Sequence, residues 1–406
     1  MPKILIIHPE GNLNNNPNLT GIVEILCENG YVVDIYSRKR TNIKQVAPCP
    51  ESQLITTSIH DPNDTAVIFI PEIELSKEAL EGLKSNFEQY DLVIGVDRGI
   101  IEASEIACLI NVPYGLISYE IYFAIETGQE FKIPEILACR DVSFAICQDR
   151  LRSGHLAAEN HIDSEKIFDI PVAGRSLIPR KRSNILHEAL KLDREKKIAV
   201  YMGEVNAKWA GFEELFESTD AWDDSWVMIL HQRYGYVLSS IAERIKTRKN
   251  VYLSPYPSLD LNDLHLLLDS ADLGIACYIP QMHSPCFLDC RNLVNIGMAS
   301  GKIASYLQHG LPILINEIGE MSEYVKRFEL GKVFDDFGHI GAILGSLDKT
   351  GLHRLGNNCQ DFFRRNLNLD LTMQPLLVAI DSLLKSQDLQ IAEQIMDIAL
   401  INNNIR

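Results

Sequence analysis

Short, continuous apolar runs alternate along this chain with stretches whose apolar positions recur at helical spacing. Lys3 to His8 (KILIIH), Tyr31 to Tyr36 (YVVDIY), Ala66 to Ile70, Leu92 to Val96, Tyr114 to Ser118 and Phe144 to Cys147 are runs of the first kind. A strand covered by helices on both faces has no polar side, so such runs predict buried parallel strands. Between the first two lie a Gly/Asn-rich loop, Pro9 to Asn18, and a helical pattern through Leu26, with Thr20 as the expected cap and Gly30 as the stop. Strand, glycine loop, helix, strand is the opening of a Rossmann-like unit. GxGxxG is missing from it, so no dinucleotide cofactor is indicated.

From Pro171 the texture changes. PVAGRSLIPRKRSN is aperiodic and carries proline and arginine, as a domain linker does. A second series of α/β units starts at Lys197, with predicted strands Ile198 to Met202, Val227 to Leu230, Val251 to Leu253, Leu273 to Ala276 and Leu311 to Ile315. Helices are expected after Gly211 and over Leu261 to Ser270. Cys359 to Leu384 has helical apolar spacing on both sides of an Asn/Asp-rich break, and a further helix is expected from Lys385 onward. At 406 residues the chain is too long for one ordinary core. The expected division is 1–175, 176–360, a helix over 361–384 and a tail over 385–406.

Composition narrows the function. A formal charge of −17 leaves no excess of cations to neutralise nucleic-acid phosphates. Local basic clusters remain at Arg38-Lys39-Arg40 with Lys44, at Arg180-Lys181-Arg182 and at Arg244 to Lys249. The first is the candidate for peripheral contact with an anionic membrane surface. Nine scattered cysteines without a CxxC fit free thiols in a reducing cytosol, and MPKILIIHPEG reads as a strand entering a turn, not a signal peptide. With no uninterrupted run of about eighteen apolar residues, no membrane span is expected. The expected setting is cytoplasmic, at the inner face of the membrane where the protein is peripheral.

The stretch Asn292 to Gly319, NLVNIGMASGKIASYLQHGLPILINEIG, carries the most chemistry. Ala299-Ser300-Gly301 is a small-residue turn and Lys302 opens a helix. A helix N-terminus presents unbonded N–H groups and positive dipole, Gly301 permits close approach and Lys302 adds a point charge, a combination suited to phosphate. The Gly203 loop with Lys208 could meet the same anion, and His231 ends a strand nearby. In open α/β sheets ligands bind beyond the carboxyl ends of strands. Asp97, Arg98 and Glu120 stand at such ends in the first half and are candidates for the acceptor or catalytic side. Asp220, Asp223 and Asp224 lack the strand context of a DxD metal motif and read as a loop. Neither a Walker A sequence nor a strand-turn-helix nucleophile is present, and no metal-ligand set is found.

SGKIASYLQHGLPIL resembles the donor-binding segment of GT-B glycosyltransferases, especially the large retaining bacterial group, whose members read roughly S-x-K-x-x-E-Y-L-x-x-G-x-P-V-I. The resemblance implies an α/β fold of two Rossmann-like domains facing across a cleft, with a C-terminal helix crossing back to the N-terminal domain. It implies a transferase moving a sugar from a UDP- or GDP-linked donor, retaining and metal-independent, with no separate cofactor, in polysaccharide or glycoconjugate synthesis. The acceptor, whether sugar, lipid-linked glycan or protein, stays unspecified. The donor site would comprise Gly203, Lys208, His231, Ser300, Gly301, Lys302, Ser305 and Tyr306, with Asp97 and Glu120 on the catalytic side and Gly11 in a cleft-facing loop. Two departures stand out: Ser305 replaces the usual Glu, and the Glu common about eight residues upstream is missing around Ile296 to Met298. They leave open a divergent transferase that binds its donor through Ser305 and the backbone, or a non-catalytic GT-B binding module. A GT-B nucleotide-sugar epimerase is a separate alternative, for which no convincing set of cleft carboxylates and histidine is found.

Overall fold

Ile4 to Ile7 and Leu92 to Val96 are all buried, as are Ile198 to Met202 and Leu273 to Ala276. Helices cover both faces of these strands, which is why they read as unbroken apolar runs. The computed structural model describes residues 1–9, 16–37, 54–56, 87–178, 181–232, 237–256, 264–281 and 290–386. Seven strands form the first sheet: β1 (Lys3–Ile7), β2 (Val32–Ser37), β3 (Leu54–Thr56), β4 (Leu92–Val96), β5 (Tyr114–Ile117), β6 (Phe144–Cys147) and β7 (Ile167–Asp169). Their order is β3-β2-β1-β4-β5-β6-β7. The second sheet has β8 (Lys197–Gly203), β9 (Trp226–Gln232), β10 (Val251–Leu253), β11 (Leu273–Ala276), β12 (Ile313–Asn316) and β13 (Gly331–Phe334), in the order β10-β9-β8-β11-β12-β13. Every pairing among the described residues is parallel.

Strand order reverses between β1 and β4 in one sheet and between β8 and β11 in the other, and these two points are where crevices open. The loops after β5 and β6 touch the segment that follows β11: Asn292 bonds Ile121, and the Met298 N–H donates to Asp149. The carboxyl ends of the two sheets therefore face each other. Two Rossmann-like lobes meet there.

β3, β7 and β13 were not expected from the sequence. β7 and β13 are short and half-exposed, so they lack an apolar run. The run Ala66 to Ile70 and Gly11 lie outside the described residues, as do the Arg38 to Lys44 cluster and the tail from residue 387. The first helix also starts earlier than Thr20. It spans Pro17–Glu28, and the Asn16 side chain caps it by accepting the Leu19 N–H at 3.0 Å. Proline at the first turn forfeits no helical hydrogen bond and is preset for helical φ, so Pro17 starts the helix and Thr20 lies inside it.

The C-terminal segment ties the lobes together. Helix Lys349–Phe362 packs on the second lobe, passes through a π-type turn at Phe363–Leu367 and breaks at Asn368. The following helical residues return to the first lobe, where Leu369, Met373, Leu376, Leu377, Ile380 and Leu384 join Ile4, Ile6, Leu19 and Ile22 in one core. By length and composition alone, one window of the run Lys349–Ser386 could cross a bilayer, contrary to the expectation above. Most of its apolar side chains beyond Asn368 are instead core of the first lobe, while Leu371 and Val378 are exposed. At the crossing, Arg175 from the linker reaches Glu24 and Glu28 on the first helix and Asp370 on the return. The Arg175 hydrogen bond holds the Glu28 carboxyl below its ordinary range. Met373→Ala should therefore lower stability by about 2–5 kcal/mol, as for a fully buried methionine. Urea unfolding followed by tryptophan-independent circular dichroism would check this, and a change under about 0.5 kcal/mol would remove the return helix from the core.

Candidate functional site

The site is built on the β8/β11 switch point. Helix Gly301–Gln308 begins here because the Ser300 side chain accepts the Ile303 N–H at 3.2 Å. The Gly301 and Lys302 N–H groups precede any helical carbonyl that could take them, so they and the dipole point outward from the helix end. Tyr278, just past the end of β11, hydrogen-bonds Ser300 through its hydroxyl. The turn is thus pinned to the strand ends.

Lys302 extends from that helix end toward β8. Its Nζ lies 4.4 Å from the centroid of the Tyr201 ring and 5.0 Å from that of Tyr278. Burial pushes both phenols well up from their ordinary range, so the ammonium meets neutral π faces. Gly203 closes β8 at φ +148°, and a Cβ there would stand 3.2 Å from the Lys302 Cε and Nζ. A side chain at 203 would press on the lysine as well as strain the backbone. Trp209 stacks beyond Tyr278 with ring planes 4° apart. The same charge counters the upward shift of the Cys277 thiol, which burial pushes to about 12.

The other expected donor residues fall into different places. Lys208 sits exposed on the turn Lys208–Ala210. His231 is buried within β9, paired in register with Met202. Glu204 receives the Gln232 amide at 2.9 Å and the Asn206 N–H at 2.8 Å, which shapes the loop after Gly203. Ser305 donates its hydroxyl to Gly301 O at 2.8 Å, a bond back into its own helix. Tyr306 corrects the expectation of a ligand contact. It is fully buried, and its hydroxyl accepts the Met202 N–H at 3.0 Å while lying 3.2 Å from Val200 O and 3.1 Å from Ile275 O. Its ring lies on Gly274, where a Cβ would come within 2.5 Å. Tyr306 supports the site from beneath.

On the first lobe, Asp97 follows β4 at φ +47°. One carboxylate oxygen accepts the backbone N–H groups of Tyr119 at 2.6 Å and Glu120 at 3.0 Å. Asp97 therefore shapes the loop that carries Glu120, and both are partly exposed at the strand ends. The Arg98 guanidinium stacks 3.8 Å from the Phe131 ring centroid and donates to Phe131 O. Asp220 and Asp224 are held in exposed ion pairs with Arg248 and Lys249.

Sequence reasoning missed the aromatic walls Tyr201, Tyr278 and Trp209. Tyr278 was within reach, since it lies two residues past the strand end that the switch-point rule selects. Tyr201 was not, because an aromatic inside an apolar run reads as core. It also missed Asp149, Arg152 and Asn292, which join the lobes. Asp149 stands at a polar strand end and caps the helix that follows, but nothing local marks Arg152 or Asn292.

No protein-family model matches the chain, and no curated protein matches it in sequence. Solved structures match it in fold. HepE from Anabaena, solved in complex with UDP-glucose, superposes with a TM-score of 0.67 at 14% identity, covering 94% of this chain and 100% of HepE. A glycosyltransferase from Rickettsia africae gives 0.66 at 13% identity, over 95% and 99%. A Listeria monocytogenes protein named as a UDP-N-acetylglucosamine 2-epimerase gives 0.58 at 12% identity, over 95% and 97%. The likeness is one of architecture, and the chain has the GT-B fold. For Tyr306→Phe the expected cost is about 1–3 kcal/mol, because the buried Met202 N–H loses its acceptor. Equal urea midpoints for the variant and the parent protein would contradict that support role.

Proposed function

We propose that this chain is a glycosyltransferase that moves a sugar from a UDP- or GDP-linked donor to an acceptor held by the first lobe. The observation that carries the reading is the meeting of Lys302 with Gly203 at the head of helix Gly301–Gln308. Cation, helix N–H groups and an approachable glycine backbone converge on one point beyond the strand ends. That is the environment a departing diphosphate needs, since negative charge develops on it as the glycosidic bond breaks. Complexes of HepE with UDP-glucose and with UDP add support by likeness of fold.

In this reading Ser300, Gly301 and Lys302 hold the diphosphate, with the exposed Lys208 nearer its nucleoside end, while His231 is buried within β9 and does not reach the donor. The Glu120 carboxylate, on the loop set by Asp97, serves the acceptor hydroxyl. Retention of anomeric configuration and a reaction without a divalent metal follow the resemblance of SGKIASYLQHGLPIL. A second reading has its own observation. Ser305 stands where a carboxylate is usual and its hydroxyl is bonded within the helix, which favours a module that binds nucleotide sugar without transferring it.

A thermal-shift screen with UDP, GDP and their sugars tests donor binding, because a ligand of the folded state alone raises the melting point. No shift with any of them would overturn both readings. Release of free sugar or transfer to an acceptor panel separates the transferase from the binding module. In calorimetric titration, Lys302→Ala should weaken nucleoside-diphosphate binding by about 1.5–3 kcal/mol, the scale of a charged hydrogen bond. Unchanged affinity would take Lys302 out of the site.

A further inference from the structure

Arg152 is the feature that the proposed reaction does not use. It lies in the first turn of helix Arg150–Asn160, on the first lobe, and is 1% exposed. Its guanidinium bonds oxygens of both lobes. From its own lobe it meets Gln148 Oε1 through Nε at 2.6 Å and Tyr119 O through Nη2 at 2.8 Å. From the second lobe it meets Asn295 O at 3.0 Å, Asn292 Oδ1 at 3.2 Å and Asn292 O at 3.4 Å. Five N–H groups face five neutral oxygens.

Such an arrangement has two states and little between them. A buried guanidinium costs several kcal/mol to desolvate, and that cost is offset only when its hydrogen bonds are complete. Three of its five acceptors belong to the other lobe, so separating the lobes strips them and lets water replace them.

Two neighbours act in the same sense. The Asn292 side-chain amide clasps the Ile121 backbone, accepting its N–H at 3.0 Å and donating to its carbonyl at 2.8 Å. Asp149 takes the Arg152 N–H with one carboxylate oxygen and the Met298 N–H with the other, each at 2.9 Å. Gly297 has φ +41°, and a Cβ there would stand 2.1 Å from Asp149 Oδ2. All the second-lobe partners lie within residues 292–298, the segment that leads directly into Ser300-Gly301-Lys302.

We propose that Arg152, together with Asp149 and Asn292, is a positioning set that seats the phosphate-facing turn from the opposite lobe, so that lobe closure and assembly of the donor site are one event. Arg152 touches no reacting atom in this scheme. It acts through the backbone of residues 292–298. The consequence for binding rests on the reading of Ser300 to Lys302 as a diphosphate site, while the consequence for lobe closure stands without it.

The test uses the full chain with a fluorophore pair, one on each lobe, and UDP as the probe. Arg152→Lys keeps the charge but cannot make five bonds, and Gly297→Ala blocks closure without removing a donor. Both should lengthen the mean interlobe distance and weaken UDP binding on the order of tenfold, a usual coupling between sites. Lys302→Ala should weaken UDP without changing the distance. Should either latch variant fail to fold, Asn292→Ala takes its place, because it removes the clasp on Ile121 and leaves Arg152 bonded to Gln148. A merely structural role for Arg152 would lower the melting point and leave both distance and UDP affinity as in the parent protein, and that result overturns the proposal. If the parent protein binds neither UDP nor GDP, the donor reading falls, and the distance measurement alone decides the latch: lengthening supports it and no change refutes it.

Discussion

The hydroxyl of Tyr306 lies among three backbone groups of two adjacent strands, and the geometry of the second lobe's crevice follows from that contact. The ring rests on Gly274 in β11, and the oxygen bridges β8 and β11 where the strand order reverses. This fixes the height and rotation of helix Gly301–Gln308 above the sheet. With the helix so fixed, Lys302 reaches the end of β8, and Gly203 must lack a side chain for it to lie there. A buried phenol usually finds partners for its hydroxyl. Here those partners set the position of a cation one turn earlier on the same helix.

The lobes are joined by three kinds of contact with different characters. The linker and the return helix make a permanent connection, because Leu369 to Leu384 belong to the core of the first lobe and Arg175 bridges three carboxylates across it. The contacts of Asp149, Arg152 and Asn292 are polar and reversible, since water can replace each of them. Between these lies the short contact of Val172 with Met298, whose N–H to carbonyl bond of 3.0 Å brings the linker beside the turn at Ser300. A fold with a fixed hinge and a polar clasp can open by exchanging the clasp's hydrogen bonds for water. In the proposed reaction such an opening would admit a charged donor and closure would exclude water.

The two lobes, their parallel sheets and the return helix were legible because each rests on a long-wavelength pattern: unbroken apolar strands, an aperiodic linker and helical spacing that resumes after Asn368. The capped helix start at Ser300 was legible for a different reason, since Ser-Gly-Lys is a local signal of a helix N-terminus. Thr20 was misjudged because capping residues are common and the proline three positions earlier carried the stronger constraint. Tyr306 was assigned to the ligand because sequence cannot say which face of a short helix points inward when both faces carry apolar residues. Arg152 was illegible altogether. Its partners come from residues 119, 148, 292 and 295, and no spacing rule connects them.

The return of residues 369–384 to the first lobe also sets an order of events during synthesis. The sheet that begins at Lys3 emerges first, yet six of the side chains that close its core are among the last described residues to be made. Until they arrive, Ile4, Leu19 and their neighbours present an uncovered apolar face while the whole second lobe is being assembled. Domains made early generally fold as units when their cores are local, but this one cannot complete its core alone. The closure of the first lobe therefore waits on the arrival of residues 369–384, which lie beyond the whole second lobe in the chain.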